Sequence, residues 1–195
     1  MGTVRYMEVI AKDIKKSYGE NTVLDGFSHN FADGRATAVI GQSGCGKTTL
    51  LAVLMGILPP DSGSVTCPKP VSAVFQENRL CENLTVSANI RLVTGKKYGK
   101  SEIAAELSKI GLEKCENKTV KELSGGMKRR VALLRALLAD YKVLFLDEPF
   151  KGLDSETKKL VMEYCKEHIQ RKTVIFVTHD MSECDFLADE VVHLK

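Results

Sequence analysis

Residues Gly41-Gln42-Ser43-Gly44-Cys45-Gly46-Lys47-Thr48 constrain this chain more than any other stretch. They match the spacing G-x-x-x-x-G-K-S/T and follow the apolar run Thr37-Ala38-Val39-Ile40, so a strand is expected to run into a loop and then a helix. Glycines at 41, 44 and 46 admit backbone conformations closed to residues with a Cβ, and successive N–H groups can then point inward at one anion. The helix starting near Lys47 and continuing through Thr49-Leu50-Leu51-Ala52-Val53-Leu54 adds its N-terminal dipole. Lys47 brings a point charge to the outer phosphates, and the Thr48 hydroxyl suits a Mg²⁺ ligand. The stretch reads as a cradle for a nucleoside triphosphate and its metal.

A chain of 195 residues can bury a sizeable core as one domain, with room for a small inserted subdomain. Lys plus Arg number 28 against 25 for Asp plus Glu, and a net charge of +3 is too mild to argue for nucleic acid or a membrane surface as partner. The cysteines are scattered, without a C-x-x-C pair or a histidine at ligand spacing, which reads as a reduced, cytosolic chain. Met1 to Tyr6 shows no apolar leader, Tyr6 stands where myristoylation would want Ser or Thr, and no apolar run approaches the ~20 residues that span a bilayer. Any membrane role is then expected to come through another chain. Asn83-Leu84-Thr85 and Asn117-Lys118-Thr119 match the glycosylation pattern by accident on this reading.

Residues 7 to 40 alternate apolar and polar positions around turns at 18–21 and 32–35, which predicts short antiparallel strands leading to the phosphate loop. The helix after Lys47 is expected to end near Gly56, and Pro59 to Ser64 is a dense turn signal before a short strand, Val71 to Phe75. Val86 to Ile90 and Ser101 to Ile110 have helical periodicity, separated by the polar Gly95 to Lys100, the pattern of a helical insertion. Met127 to Ala139 predicts another helix, with Val131, Leu134 and Leu138 on one stripe and Arg129, Arg130 and Arg135 elsewhere. Lys142 to Leu146 and Thr173 to Val177 are nearly continuous apolar runs, expected as central parallel strands covered on both faces, with Ser155 to Gln170 as the crossover helix.

Leu146-Asp147-Glu148-Pro149 ends one of these strands with two carboxylates, and charge at that depth is costly unless something pairs with it. Mg²⁺ is the natural partner, held by Asp147 directly or through water. Glu148, one step on, points elsewhere, and a carboxylate beside the γ-phosphate suits a general base or a positioner for the attacking water. Leu123-Ser124-Gly125-Gly126-Met127 lies where a helix begins. Ser124 is placed as an N-cap and the two glycines leave N–H groups open, which makes a second candidate phosphate site.

Together these motifs make the chain resemble, from about residue 7 to 194, the nucleotide-binding subunit of an ATP-binding cassette (ABC) transporter. The resemblance implies that Ser124, Gly125 and Gly126 of one copy close over ATP held by the loop Gly41, Ser43, Gly44, Cys45, Gly46, Lys47, Thr48 and Thr49 of another, in a head-to-tail homodimer. It implies a metal set of Thr48, Gln76 and Asp147, with Gln76 reaching toward Mg²⁺ and the attacking water, and a catalytic set of Glu148, His179, Gln76 and Lys47. Gly152-Leu153-Asp154 resembles the loop that signals across the dimer, which places Asp154 with the nucleotide site; His179 resembles the switch histidine at the γ-phosphate, and Tyr18 the aromatic that stacks on adenine. The implied fold is an α/β phosphate-loop NTPase of the ABC type: one domain, 1–195, with a RecA-like parallel-sheet core (about 1–83 and 123–195), an N-terminal antiparallel β subdomain and an α-helical insertion carrying the signature (about 84–139).

The runs Gly-Gly-Met-Lys-Arg-Arg and Asp-Glu-Pro-Phe-Lys-Gly-Leu-Asp look most like the importer branch serving nitrate, sulfonate, taurine and similar solutes. That branch implies a peripheral protein on the cytoplasmic, inner face of the cell membrane. Its partners would be a transmembrane permease subunit, docked in a groove near Asn78, Leu80 and Leu84, and an extracytoplasmic solute-binding protein; no nucleic acid is expected. Gln76 follows Lys47 by 29 positions, short for the family, which implies a trimmed loop or strand after Gly63; the sequence ends 16 residues beyond His179, where many relatives continue. The competing readings are an ABC exporter ATPase and a non-transport ABC ATPase acting on DNA or ribosomes. Relatives of the second kind usually carry inserted coiled coils or two fused cassettes, neither found here. A phosphate-loop kinase or GTPase has no use for Leu123 to Gly126.

Overall fold

The computed structural model describes residues 8–194, so the reading of Met1 to Tyr6 lies outside the described residues. Along the chain run β1 (Val9–Tyr18), β2 (Asn21–Phe31), β3 (Ala36–Ile40), α1 (Lys47–Met55), β4 (Ser62–Thr66), β5 (Val71–Val74), α2 (Val86–Thr94), α3 (Lys100–Lys109), a 3₁₀ turn (Val120–Glu122), α4 (Gly125–Leu138), β6 (Val143–Asp147), α5 (Ser155–Ile169), β7 (Thr173–Val177), α6 (Met181–Leu187) and β8 (Glu190–His193).

Five strands form one parallel sheet in the order β5-β6-β7-β3-β8. β6 and β7 are buried at every residue, as their unbroken apolar runs predict. Successive side chains of a strand point to opposite faces, so each face receives its own apolar set. Val143, Phe145, Ile175 and Val177 join the cluster formed by α1 and the second sheet, while Leu144, Leu146, Val174 and Phe176 join the cluster formed with the helices α2 to α5.

β3 corrects the expectation that residues 7 to 40 are antiparallel throughout, because it enters the parallel sheet between β7 and β8. Its residues Ala36, Thr37, Ala38 and Val39 are buried whichever way they point, so no alternation marks a solvent face. β1 and β2 do pair antiparallel, over 10 and 11 residues, in a three-stranded sheet of order β2-β1-β4. β4 occupies part of the stretch expected to turn. Gly63 has φ +89°, and a Cβ there would collide with the carbonyl oxygens of Lys12 and Asp13. The glycine that looks like turn punctuation lets β4 close against the irregularity of β1 between Lys12 and Lys15.

α2 and α3 occupy the predicted helical stretch and pack with α4 through Val86, Ile90, Ile103 and Leu107, all fully buried. Thr85 Oγ1 accepts from the Ala88 N–H at 3.1 Å and caps α2. Ser124 Oγ does the same for α4, accepting from the Met127 N–H at 3.3 Å, so that helix starts at Gly125 rather than Met127. Its arginines stand off the Val131, Leu134 and Leu138 stripe but are not left to solvent. Arg129 is 4% exposed, and Arg130 Nη1 donates to the carbonyls of Ile110 (2.8 Å) and Gly111 (2.7 Å). A guanidinium has five N–H donors, and carbonyls exposed at loops and turns can satisfy them inside the protein.

Parallel strands share a direction, so the carboxyl ends of β5, β6, β7 and β3 gather on one edge of the sheet. Their loops carry Gln76, Asp147 with Glu148, His179, and Gly41 to Thr48 in turn.

Candidate nucleotide site

An open cleft of about 560 Å³ lies on that edge, lined by Ser43, Gly44, Gly46, Lys47, Thr48 and Thr49 of the phosphate loop together with Gln76, Asp147, Glu148 and His179. Residues as far apart in sequence as Val23 and His179 converge here. Gly46 makes the loop possible: its φ of +98° and ψ of 13° turn the chain directly into α1, a conformation rarely open to residues with a Cβ.

Lys47 is 9% exposed and curls back on the loop, where Nζ donates to the carbonyls of Gly41 and Gln42, both at 2.8 Å. Both acceptors are neutral, so the ammonium charge stays available to an anion in the cleft. Thr48 Oγ1 donates to Asp147 Oδ2 at 2.8 Å, which ties the start of α1 to the end of β6. Burial pushes the Asp147 carboxyl above the ordinary aspartate value, reinforced by the charge of Glu148 and opposed by the Thr48 hydrogen bond. A carboxylate and a hydroxyl side by side, with the Gln76 amide lining the same cleft, form an all-oxygen donor set of the kind that suits Mg²⁺.

Glu148 is held differently. Its φ is +46°, and its N–H donates to the Val177 carbonyl at 2.9 Å, pinning the turn to the end of β7. Oε2 accepts from Lys151 Nζ at 2.5 Å, and Oε1 lies 3.4 Å from His179 Nδ1. Burial would push this carboxyl up, but the hydrogen bond and charge of Lys151, with His179 beside it, bring it below the ordinary glutamate value. The His179 loop is fixed from behind: buried Thr178 donates to Glu183 Oε2 at 2.6 Å, and Lys158 Nζ bridges Asp180 Oδ2 and Glu183 Oε1, each at 2.6 Å.

The remaining sequence-selected residues stand outside the cleft lining. Gly41 and Cys45 sit behind the loop, where a Cβ on Gly41 would meet Leu194 and Cys45 Sγ. Tyr18 ends β1 and is 53% exposed. Ser124, Gly125 and Gly126 open α4, with Gly126 close to Gly152 and Leu153. Asp154 caps α5, accepting from the Thr157 N–H at 2.9 Å. Three lining residues were not singled out from sequence: Val23, Lys151 and Val177. Only Lys151 left a signal, a cation three residues after Glu148 across a turn.

Residues 24–151 match the family described as ABC transporter. The chain belongs to that family. The cassette is 37% identical over 191 residues to the aliphatic sulfonates import ATP-binding protein SsuB 3 of Paraburkholderia xenovorans, covering 97% of this chain and 77% of that protein. It is 39% identical over 193 residues to the Nod factor export ATP-binding protein I of the same organism, covering 89% of this chain and 63% of that one. A dimeric, post-hydrolysis structure of the ATP-binding cassette MJ0796 bound to ADP and Pi superposes with a TM-score of 0.86 at 28% identity, covering 96% of this chain and 94% of that one. The cassette is thus an ATP-binding ABC ATPase with the expected phosphate-loop NTPase fold. No helix among the described residues is long and apolar enough to cross a membrane.

Proposed function

We propose that two copies of this cassette bind ATP head to tail at the cytoplasmic face of a membrane and power import of a small solute through a separate permease, with an aliphatic sulfonate as the leading candidate. The convergence of Lys47, the Thr48–Asp147 pair and the Glu148–His179 pair in one cleft carries the ATPase part of this reading. Lys47 leaves its loop carbonyls for the outer phosphates, while the loop N–H groups and the α1 dipole hold the rest. Thr48, Asp147 and Gln76 would hold Mg²⁺, which supplies charge neutralisation on the phosphates when bound. Glu148 takes the proton of the water whose oxygen attacks the γ-phosphorus, ADP leaves, and His179 steadies the transferred phosphoryl.

Ser124, Gly125 and Gly126 lie outside the cleft of their own chain, which favours a site completed by a second copy. Their engagement with the other copy's ATP, relayed through the loop of Asp154, is the power stroke, and hydrolysis resets it. Residues 1–195 act as one domain whose helical insertion, with the signature, runs over about 84–139. The permease groove lies beside Leu80 and Leu84, the latter 39% exposed; Asn78 is engaged inward, accepting from Arg129 at 3.3 Å. Tyr18, at the end of β1, stacks on adenine. An extracytoplasmic binding protein delivers the solute, and nucleic acid has no part. The likeness to SsuB 3 supports import, and that to the Nod factor protein keeps export as the second reading.

The test is uptake of a labelled aliphatic sulfonate by cells lacking this cassette. Uptake restored by the wild type and not by Glu148→Gln supports the proposal. Unchanged uptake together with a lost efflux activity would turn the assignment to export.

A further inference from the structure

Arg129 lies one turn into α4, the helix whose first turn is Gly125 and Gly126. Its guanidinium is almost completely buried, and every oxygen it reaches is uncharged. Nε donates to the Pro149 carbonyl at 3.0 Å, and Nη2 to the carbonyls of Asp147 and Glu148, both at 2.5 Å. Nη1 donates to the carbonyl of Phe75 at 2.5 Å, with the Gln76 carbonyl at 3.4 Å and Asn78 Oδ1 at 3.3 Å. One side chain therefore grips the backbone of two of the loops that bring groups into the cleft, those of Gln76 and of Glu148.

A buried cation without a carboxylate partner is costly, and a neutral residue could bond at most a part of this acceptor set. The planar fork of an arginine suits acceptors that approach from several directions in one plane, which an ammonium cannot match. The acceptors also need holding. Glu148 has φ +46°, a conformation that L residues rarely adopt, and only its N–H is fixed by β7. Its carbonyl accepts from Arg129 Nη2 and, at 3.2 Å, from the Lys151 N–H.

We propose that Arg129 is a positioning residue that locks the Gln76 loop and the Glu148 turn to the signature helix as one body, so that engagement of Ser124 and Gly126 by one nucleotide sets the catalytic turn serving the other. This inference rests on the two-copy reading above. Arg129 is not among the residues that line the cleft and acts through the backbone on either side of it.

The experiment compares wild type with Arg129→Met, which keeps length but no donor, and Arg129→Gln, which keeps an amide donor. Amide hydrogen exchange in the nucleotide-free full-length protein reads the lock itself; ATP titration and steady-state hydrolysis read its use. Arg129→Met is expected to speed exchange in residues 75–79 and 147–150 while leaving β7 protected, and to lower kcat about 10²-fold with ATP affinity retained. Arg129→Gln is expected to lie between the two. Unchanged exchange in either segment overturns the lock. Faster exchange with unaltered kcat overturns its catalytic use, and so does a parallel loss of kcat and ATP affinity. A wild type that fails to hydrolyse ATP or to dimerise would strike the functional reading instead, and the exchange result would still decide whether Arg129 holds the two loops.

Discussion

Thr48 Oγ1 and Asp147 Oδ2 stand 2.8 Å apart although 99 positions separate them, and this bond is the direct link between the phosphate loop and the acidic strand end. Asp147 is 4% exposed, so removing the donor leaves a buried carboxylate unsatisfied. Thr48→Val keeps the volume, loses the hydroxyl and should cost about 1–3 kcal/mol. In a chain of this size that lowers Tm by about 2–4 °C per kcal/mol. Thr48→Ser, which retains the hydroxyl, should melt near the wild type and keep Mg²⁺-dependent ATP binding. Equal losses in the two variants, measured by calorimetry and nucleotide titration, would show that the bond is not what matters at this position.

Glu148 is placed to accept a proton, so Glu148→Gln should retain ATP binding and lower turnover by about 10²-fold or more. Size-exclusion chromatography with ATP should then show a persistent dimer. Near-normal turnover would remove Glu148 from its role as base.

Lys151 offers a separate test of the same carboxylate. Its side chain is 53% exposed, and exposed ion pairs contribute little to stability. Lys151→Met should therefore barely move Tm. The sign of its catalytic effect follows from the shift: Lys151 helps hold the Glu148 carboxyl below its ordinary value, so its loss lets that value rise. A base must be ionised, and the acid limb of the pH–kcat profile should move to higher pH. A limb that stays in place would mean that Glu148 does not set it.

The sequence made the parallel core legible because β6 and β7 are nearly continuous apolar runs, as a strand covered on both faces requires. β3 was misplaced since its neighbours β1 and β2 do alternate and its own five residues are too few to show a different period. Gly63 hid β4, a glycine serving strand pairing being indistinguishable in sequence from one serving a turn. The cleft residues were legible where spacing carries them, as for Ser43, Gly44, Gly46, Lys47 and Thr48. Arg129 was not, because a charged residue on a helix reads as a solvent contact until the carbonyls of two distant loops are brought around it. Tyr18 and Ser124 remain matters of a second body, adenine or another copy, that the fold of one chain does not supply.

Behind His179, Lys158 joins Asp180 and Glu183. The Lys158 hydrogen bond, with those from Ser182, holds the Asp180 carboxyl far below the ordinary aspartate value. A depressed folded value contributes stability above the unfolded pKa, and that contribution fades as pH falls through the folded one. Lys158→Met should thus lower Tm at pH 7, with the gap to wild type narrowing below about pH 4. It should also lower kcat, since the loop of His179 loses its anchor. A gap that widens in acid would contradict the assigned pairing.

Gly44 and Gly46 separate two costs within one loop. Both have positive φ, +83° and +98°, so alanine at either meets backbone strain of about 1–2 kcal/mol. At Gly44 nothing lies within 4 Å of an added Cβ, whereas at Gly46 it would stand 2.5 Å from Val23 Cγ1 and 2.9 Å from the Val23 carbonyl oxygen. Gly44→Ala should therefore cost strain alone, while Gly46→Ala must also push β2 away from the loop or rotate the first turn of α1. Because Val23 lines the nucleotide cleft, that displacement should weaken ATP binding more than Gly44→Ala does, beyond any difference in Tm. Pairing Gly46→Ala with Val23→Ala removes the side-chain collision but not the carbonyl one, and should recover part of the lost affinity. No recovery in a nucleotide titration would assign the effect to the backbone conformation of residue 46 and its contact with the Val23 carbonyl, and leave the Val23 side chain without a part in shaping the loop.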